Sequence, residues 1–271
     1  MQPSPCEIVI GGSSITDAMP WPTWASWANR RYATSVFHNT SVKGTGNEAI
    51  IMRAINRAQR CHDPIVIVQL TNVDKWDWYV ENPDLVAQLN REKHPLILLQ
   101  HGDLQGFWST GSHFPLWKQY YKDHYYSLQY HVFHTLFLIN WLQLICQAKR
   151  WRHYILFDSP ILSTTEHQLN TGQLDLSSAT TKSLVQSSLC QLISDQIDFS
   201  NIYLPGLIGY AAINGFDWYS PKVKGHPGSF VHYQFAKNII FPVLDLWIES
   251  TEASDLMETE AKVMQKLFEK C

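Results

Sequence analysis

Glu7-Ile8-Val9-Ile10-Gly11-Gly12-Ser13-Ser14-Ile15-Thr16 is the stretch on which the fold turns. A short apolar run is stopped by two glycines and followed by two serines. A run this short and this apolar reads as a strand buried on both faces, as parallel strands covered by helices are. The glycines and serines read as a tight turn at its carboxyl end. Working outward, Pro64-Ile65-Val66-Ile67-Val68-Gln69-Leu70 and Arg152-His153-Tyr154-Ile155-Leu156-Phe157-Asp158 repeat the signature, and Ser35 to His38 forms a second short strand. Helical stretches lie between them. Pro20 to Tyr32 is one. Another starts at Asn47, at an N-cap position after the Gly44-Thr45-Gly46 turn, with Ile50, Ile51, Ala54, Ile55 and Ala58 at helical spacing. Pro115 to Lys149, Thr181 to Ile197, and Ser229 to Trp247 with a kink at Pro242 complete the set, while Thr165 to Ala179 reads as a polar loop. Strands alternating with helices predict an α/β fold, a three-layer α/β/α sandwich with a mainly parallel, flavodoxin-like sheet.

The 271 residues show no composition break, so residues 1–271 read as a single domain. Two segments stand apart. Residues 74–114 form an irregular, aromatic insertion, a lid beside a site. Residues 251–271 form a charged amphipathic helix. The net charge of -3 gives no general attraction to nucleic acid or to an anionic membrane. The most apolar long segment, His131 to Cys146, carries His134, Asn140 and Gln143 and falls short of the roughly 20 residues of a membrane span. Five cysteines without C-x-x-C spacing read as free thiols in a reducing, cytoplasmic-type compartment, and no signal peptide is apparent at the N-terminus. The 11 Trp, 12 Tyr and 12 Phe fill a core first, and any excess suits a groove that stacks on sugars or other flat ligands.

In an open parallel sheet, ligands bind at the carboxyl ends of the strands. Three unusual segments fall there: Gly11-Gly12-Ser13-Ser14-Ile15-Thr16, Gly44-Thr45-Gly46-Asn47 and Leu70-Thr71-Asn72-Val73-Asp74. A fourth, Gly225-His226-Pro227-Gly228, precedes the last long helix. A serine needs a base and an oxyanion hole to act as a nucleophile. The set offers Ser14 as nucleophile, His226 as base, and the Gly46 backbone and Asn72 amide as oxyanion donors. Each piece alone has a bland reading: a turn, a helix cap, a strand-end asparagine, a His-Pro turn. Taken in this order on these elements, they are far more specific.

The four segments resemble the blocks of the SGNH hydrolase superfamily, the GDSL-type esterases and lipases. Gly12-Ser13-Ser14-Ile15-Thr16 is similar to the first block, with Ser13 where the family has Asp. The resemblance implies that Ser14 is the nucleophile and that its own N–H serves the oxyanion hole. It implies Gly46 for the second block, with Gly44 as the alternative, and Asn72 for the third. His226-Pro227 matches the last block, but Val223 stands where the family's acid belongs. Asp217 is the nearest upstream carboxylate and the first candidate to orient the imidazole. Asp158 and Asp74 are others, and a Ser-His dyad oriented by a backbone carbonyl is a further option. The likeness covers about residues 7–75 and 217–245.

By that resemblance the expected activity is ester hydrolysis through an acyl-enzyme, needing neither metal nor organic cofactor. The expected partner is a small-molecule or glycan ester, with oligomeric state unknown. Trp76 and Trp78, beside Asn72, point to a sugar surface and so to O-acyl groups on a carbohydrate. Acyl transfer to a sugar hydroxyl is the near alternative, and a non-catalytic glycan-binding or structural protein on the same fold is the distant one. A phosphate cradle at Gly11-Gly12-Ser13-Ser14 lacks the P-loop lysine and the third glycine of a dinucleotide site. His131 and His134 could pair as metal ligands, but packed histidines are the simpler reading, and His232 packs or caps.

Overall fold

A computed structural model describes residues 5–13, 15–16, 21–42, 45–73, 77–80, 96–98, 107–110, 127–159, 188–216, 226–248 and 254–270. The strands β1 (Glu7–Gly11), β2 (Val36–Asn39), β3 (Ile65–Leu70), β7 (Arg152–Phe157) and β8 (Ile202–Tyr203) form one sheet in the order β2-β1-β3-β7-β8. Every pairing in it is parallel. With helices on both faces this is an α/β/α sandwich. The order reverses at β1, whose neighbours β2 and β3 lie on opposite sides. That is the switch point where doubly wound sheets open a crevice.

Side-chain alternation along the strands explains the two layers. Ile8, Ile10, Ile65, Ile67 and Leu156 face one core. There they meet α1 (Trp24–Arg31), α5 (Gly206–Ile213), α6 (Ser229–Phe235) and α8 (Ser254–Lys270). Val9, Val66, Val68, Ile155 and Phe157 point the other way. They meet α2 (Asn47–Ala58), α3 (Leu128–Lys149) and α4 (Ser188–Ser194). A strand with apolar residues on both faces has no solvent side, which is why the central strands show no polar alternation in sequence.

The structure differs from the sequence reading in three places, and at Pro242 it shows how the expected break in the helix is made. Residues 74–114 are not wholly irregular: β4 (Asp77–Val80), β6 (Phe107–Thr110) and β5 (Leu96–Leu98) pair antiparallel as a separate three-stranded sheet. Helix α1 begins at Trp24 rather than Pro20, because Thr23 and Ser26 make a capping box there. Asn47 is the first helical residue of α2, and Gly46 is the cap. Before Pro242 the helix widens into a π turn, Ala236–Ile240, followed by α7 (Phe241–Asp245). Proline has no N–H for the carbonyl one turn back, and its ring crowds that carbonyl, so the chain loosens ahead of it. The reading of 115–126 as helix and of 165–179 as loop lies outside the described residues.

Cys6, Cys61, Cys146 and Cys190 are free thiols. Among the described residues no helix is long and apolar enough to cross a membrane.

Candidate active site

Because β1, β3 and β7 run parallel, residues that follow them emerge on one rim of the sheet. After β1, the chain turns back sharply: the Thr16 N–H donates to the Ser13 carbonyl at 3.1 Å. Gly12 makes this possible. A Cβ there would lie 2.1 Å from Thr16 Oγ1 and 2.4 Å from Thr16 Cβ. Its φ is not among the positive values, so the requirement is for space rather than torsion. Thr16 is buried, donates its hydroxyl to Gln69 Oε1, and accepts at its carbonyl from Thr23 Oγ1 at 3.2 Å. Ser14, the candidate nucleophile, lies outside the described residues, bracketed by Ser13 and Ile15.

Ser13 Oγ donates to Asp158 Oδ2 at 2.7 Å, with both residues buried. Asp158 is the first residue past β7. Its N–H donates to the Leu70 carbonyl at 2.7 Å, and its own carbonyl accepts from Ile208 N–H at 2.9 Å, at the start of α5. Gly206 opens that helix at φ +67, where a Cβ would sit 2.7 Å from the Phe157 carbonyl oxygen. The end of β7 is thus wedged between the sheet and a helix start. The next residue, Ser159, donates its hydroxyl to Asn72 Oδ1. An amide that accepts at its oxygen presents its NH2 on the other side.

His226 is half-buried. Its segment is tied to the far end of the chain by three hydrogen bonds. Trp21 Nε1 donates to the Pro227 carbonyl at 3.1 Å, Ser229 Oγ to the Pro22 carbonyl at 3.4 Å, and the Trp24 N–H to His232 Nδ1 at 3.3 Å. His232 is fully buried and caps the first N–H of α1, in line with its expected packing or capping role. Burial pushes its pKa down to about 3, with the nearby His226 adding to the effect.

Gly46 donates its N–H to Asp77 Oδ1 at 2.7 Å, and Ala49 donates to Asp77 Oδ2 at 2.9 Å. A carboxylate from β4 therefore caps α2. Burial raises the Asp77 pKa to about 6, against the pull of those two N–H groups and of Arg53. The donor that the sequence assigns to an oxyanion is engaged, so an oxyanion at Gly46 must displace Asp77. Gly44, the alternative, lies outside the described residues. So do Asp217, Asp74 and Trp76; of Trp78 only the backbone of β4 is described. Asn47 is committed to structure: its Oδ1 accepts the Thr71 N–H at 2.8 Å.

Three residues here escaped the sequence reading. Gln69 accepts from both Thr16 Oγ1 and Trp24 Nε1, and donates to the Phe157 carbonyl at 3.3 Å. Its signal was present, as the lone polar residue in the Ile65–Leu70 run. Asp77 and Ser159 carried no local signal.

Histidines elsewhere behave as packed side chains. His131 is buried and pushed down to about 4, and His134 stacks on Tyr130 and lies 3.9 Å from Glu48. Among the described residues one group has metal-ligand spacing, Glu7, His38 and Cys61 at the amino end of β1. There the Arg57 guanidinium donates to His38 Nδ1 at 2.8 Å. Nε2 must then carry the proton, which it donates to Glu7 Oε1 at 3.1 Å. The imidazole lone pair is spent on arginine, and burial with the Glu7 charge pushes the Cys61 thiol up to about 11. The donor set does not favour a cation.

No protein-family model and no curated protein matches this chain.

Proposed function

We propose that the chain is a serine hydrolase that cleaves an ester through an acyl-enzyme on Ser14. One observation carries the reading. The segment that follows the Ser14 turn and the segment that starts at His226 are joined by side-chain hydrogen bonds between residues more than 200 positions apart. That joining supports a shared site for the two residues at the carboxyl rim.

In this mechanism Ser14 Oγ attacks the acyl carbonyl while His226 takes its proton. The oxyanion accepts from the Ser14 N–H and the Asn72 amide NH2. A third donor comes from the turn before α2: Gly46, the sequence choice, once Asp77 yields, or Gly44, the alternative. Collapse breaks the ester bond, and the imidazolium returns the proton to the departing alcohol. Water, deprotonated by His226, then frees the acid. Asp217 stays the sequence candidate for the group that orients His226. Asp158 is another, with Oδ2 accepting from Ser13 and a second carboxylate oxygen besides.

The preferred substrate class is an O-acylated carbohydrate, on the strength of Trp76 and Trp78 in the sequence. The test is labelling by a fluorophosphonate probe, read by peptide mass spectrometry. One adduct on the Ser14 peptide is expected, lost in Ser14→Ala and slowed at least about 100-fold in His226→Gln. A folded wild-type protein that never reacts overturns the proposal and leaves a binding protein on this fold.

A further inference from the structure

We infer that Asp158 and Ser159 form a positioning clamp that fixes the nucleophile turn and the oxyanion amide to one strand end. The inference rests on the hydrolase reading above and adds two residues to its machinery. Consecutive side chains leave the end of β7, and each grips a different part of the candidate site. Asp158 Oδ2 holds Ser13, the residue directly before Ser14. Ser159 Oγ holds Asn72 Oδ1. The two contacts join residues 145 and 87 positions apart, so neither is a by-product of local turn geometry.

The strand end that carries them is itself held by two neighbours, β3 and the start of α5. β3 pairs with β7 up to Leu70↔Phe157, and the Leu70 carbonyl then accepts the Asp158 N–H. The Asp158 carbonyl accepts from Ile208 on α5. Gly206 brings that helix start against Phe157 and Ser159 closely enough to exclude a Cβ. A support of this kind restricts small displacements. Misplacing a reacting group by about 1 Å costs on the order of 100-fold in rate.

The direction of each grip matters. Ser13 donates to the carboxylate, so Asp158 restrains the turn through a charge-assisted bond. Ser159 donates to the Asn72 oxygen, which orients the amide with its oxygen toward Ser159 and its NH2 turned away from it. Without that hydroxyl the amide can rotate and offer its oxygen, which repels an oxyanion.

The test uses the full chain and reads both the fluorophosphonate labelling rate and p-nitrophenyl acetate turnover, with thermal melting as the folding control. Ser159→Ala should lower kcat on the order of 10- to 100-fold with little change in KM, because an oxyanion exists only after attack. Ser159→Thr, which keeps the hydroxyl, should restore most of the rate. Ser159→Ala combined with Asn72→Ala should be no slower than Asn72→Ala alone. For the other grip, Ser13→Ala should slow labelling, Asp158→Asn, which keeps an acceptor oxygen but not the charge, should slow it no more than that, and their combination should match Ser13→Ala alone. Ser13→Ala keeps this arm informative if Asp158→Asn fails to fold. If the wild type reacts and the folded Ser159→Ala and Ser13→Ala variants react within about twofold of it, the clamp is wrong and the hydrolase reading survives. Multiplicative losses in the double variants also overturn it. A wild type that does not react removes both.

Discussion

Replacing Gly12 by alanine should break the turn that carries Ser14. The new Cβ would lie 2.1 Å from Thr16 Oγ1, 2.4 Å from Thr16 Cβ and 2.8 Å from Thr16 Cγ2, where real Cβ atoms essentially never come within 3.0 Å of a neighbour. Thr16 cannot swing away, because it is buried and its hydroxyl is bonded to Gln69. Overpacking of this kind costs about 1–3 kcal/mol. Losing the Gln69 bond with the hydroxyl still buried adds about 1–3 kcal/mol. The sum, roughly 2–6 kcal/mol, lowers the melting temperature by roughly 4–12 °C in a chain of this size. Circular dichroism against temperature and urea measures it, and the labelling rate of Ser14 should fall in parallel. The control is the reciprocal pair Gly12→Ala with Thr16→Gly, which removes the overlapping atoms. It should be at least about 1 kcal/mol more stable than the two single changes predict when added. A Gly12→Ala protein melting within about 1 °C of wild type would refute the argument. So would strict additivity in the pair.

Acid and base limbs of stability should have opposite causes. Asp77, raised to about 6 in the fold, holds its proton more tightly when folded, so its contribution is complete below about pH 4 and is lost as pH rises through about 6. Asp77→Asn should flatten that limb, worth about 3 kcal/mol at most, in urea titrations taken across the range. His232 and His131, pushed down to about 3 and about 4, act the other way. Their contribution is present above about pH 6.5 and fades on acidification, and His131→Gln should weaken the fade. Trp24→Phe should cost about 1–3 kcal/mol in the same assay, since it strips the indole N–H from a fully buried site and leaves Gln69 short of a donor. Excess Zn²⁺ should leave the melting temperature unchanged, because the Arg57 guanidinium occupies the His38 nitrogen that would have to bind it. Arg57→Ala should open that group to zinc, seen as a melting increase.

The central strands were legible because Ile8 to Ile10, Ile65 to Val68 and Ile155 to Phe157 are apolar without interruption, and only a strand covered on both faces tolerates that. Helix α5 was not. Gly206-Leu-Ile-Gly-Tyr-Ala-Ala-Ile213 has no polar face and starts on a left-handed glycine, so it offers neither periodicity nor a start signal. β4 and β6 were missed because their residues mix aromatic and polar types with no clean alternation, and β5 because Leu96-Ile97-Leu98 is too short an apolar run to mark a strand. At the candidate site, turn residues were readable from glycine spacing, whereas the partners of Ser13, Asn72 and Gly46 were not. Those partners are Asp158, Ser159 and Asp77, and nothing in a local pattern says which distant polar side chain will fold against which turn.

The ties between Trp21, Pro22 and Trp24 on one side and Pro227, Ser229 and His232 on the other have a consequence for biosynthesis. At about 5–20 residues per second, a ribosome needs roughly 10–40 s to translate from Trp21 to Pro227. For that interval the tryptophans of the first helix gain strands only as β3 and β7 are made, and throughout it they lack the late helices that complete their surroundings. The nascent chain therefore carries sticky indoles for most of its synthesis, and chaperone engagement should concentrate on the first helix until the final fifth of the polypeptide arrives.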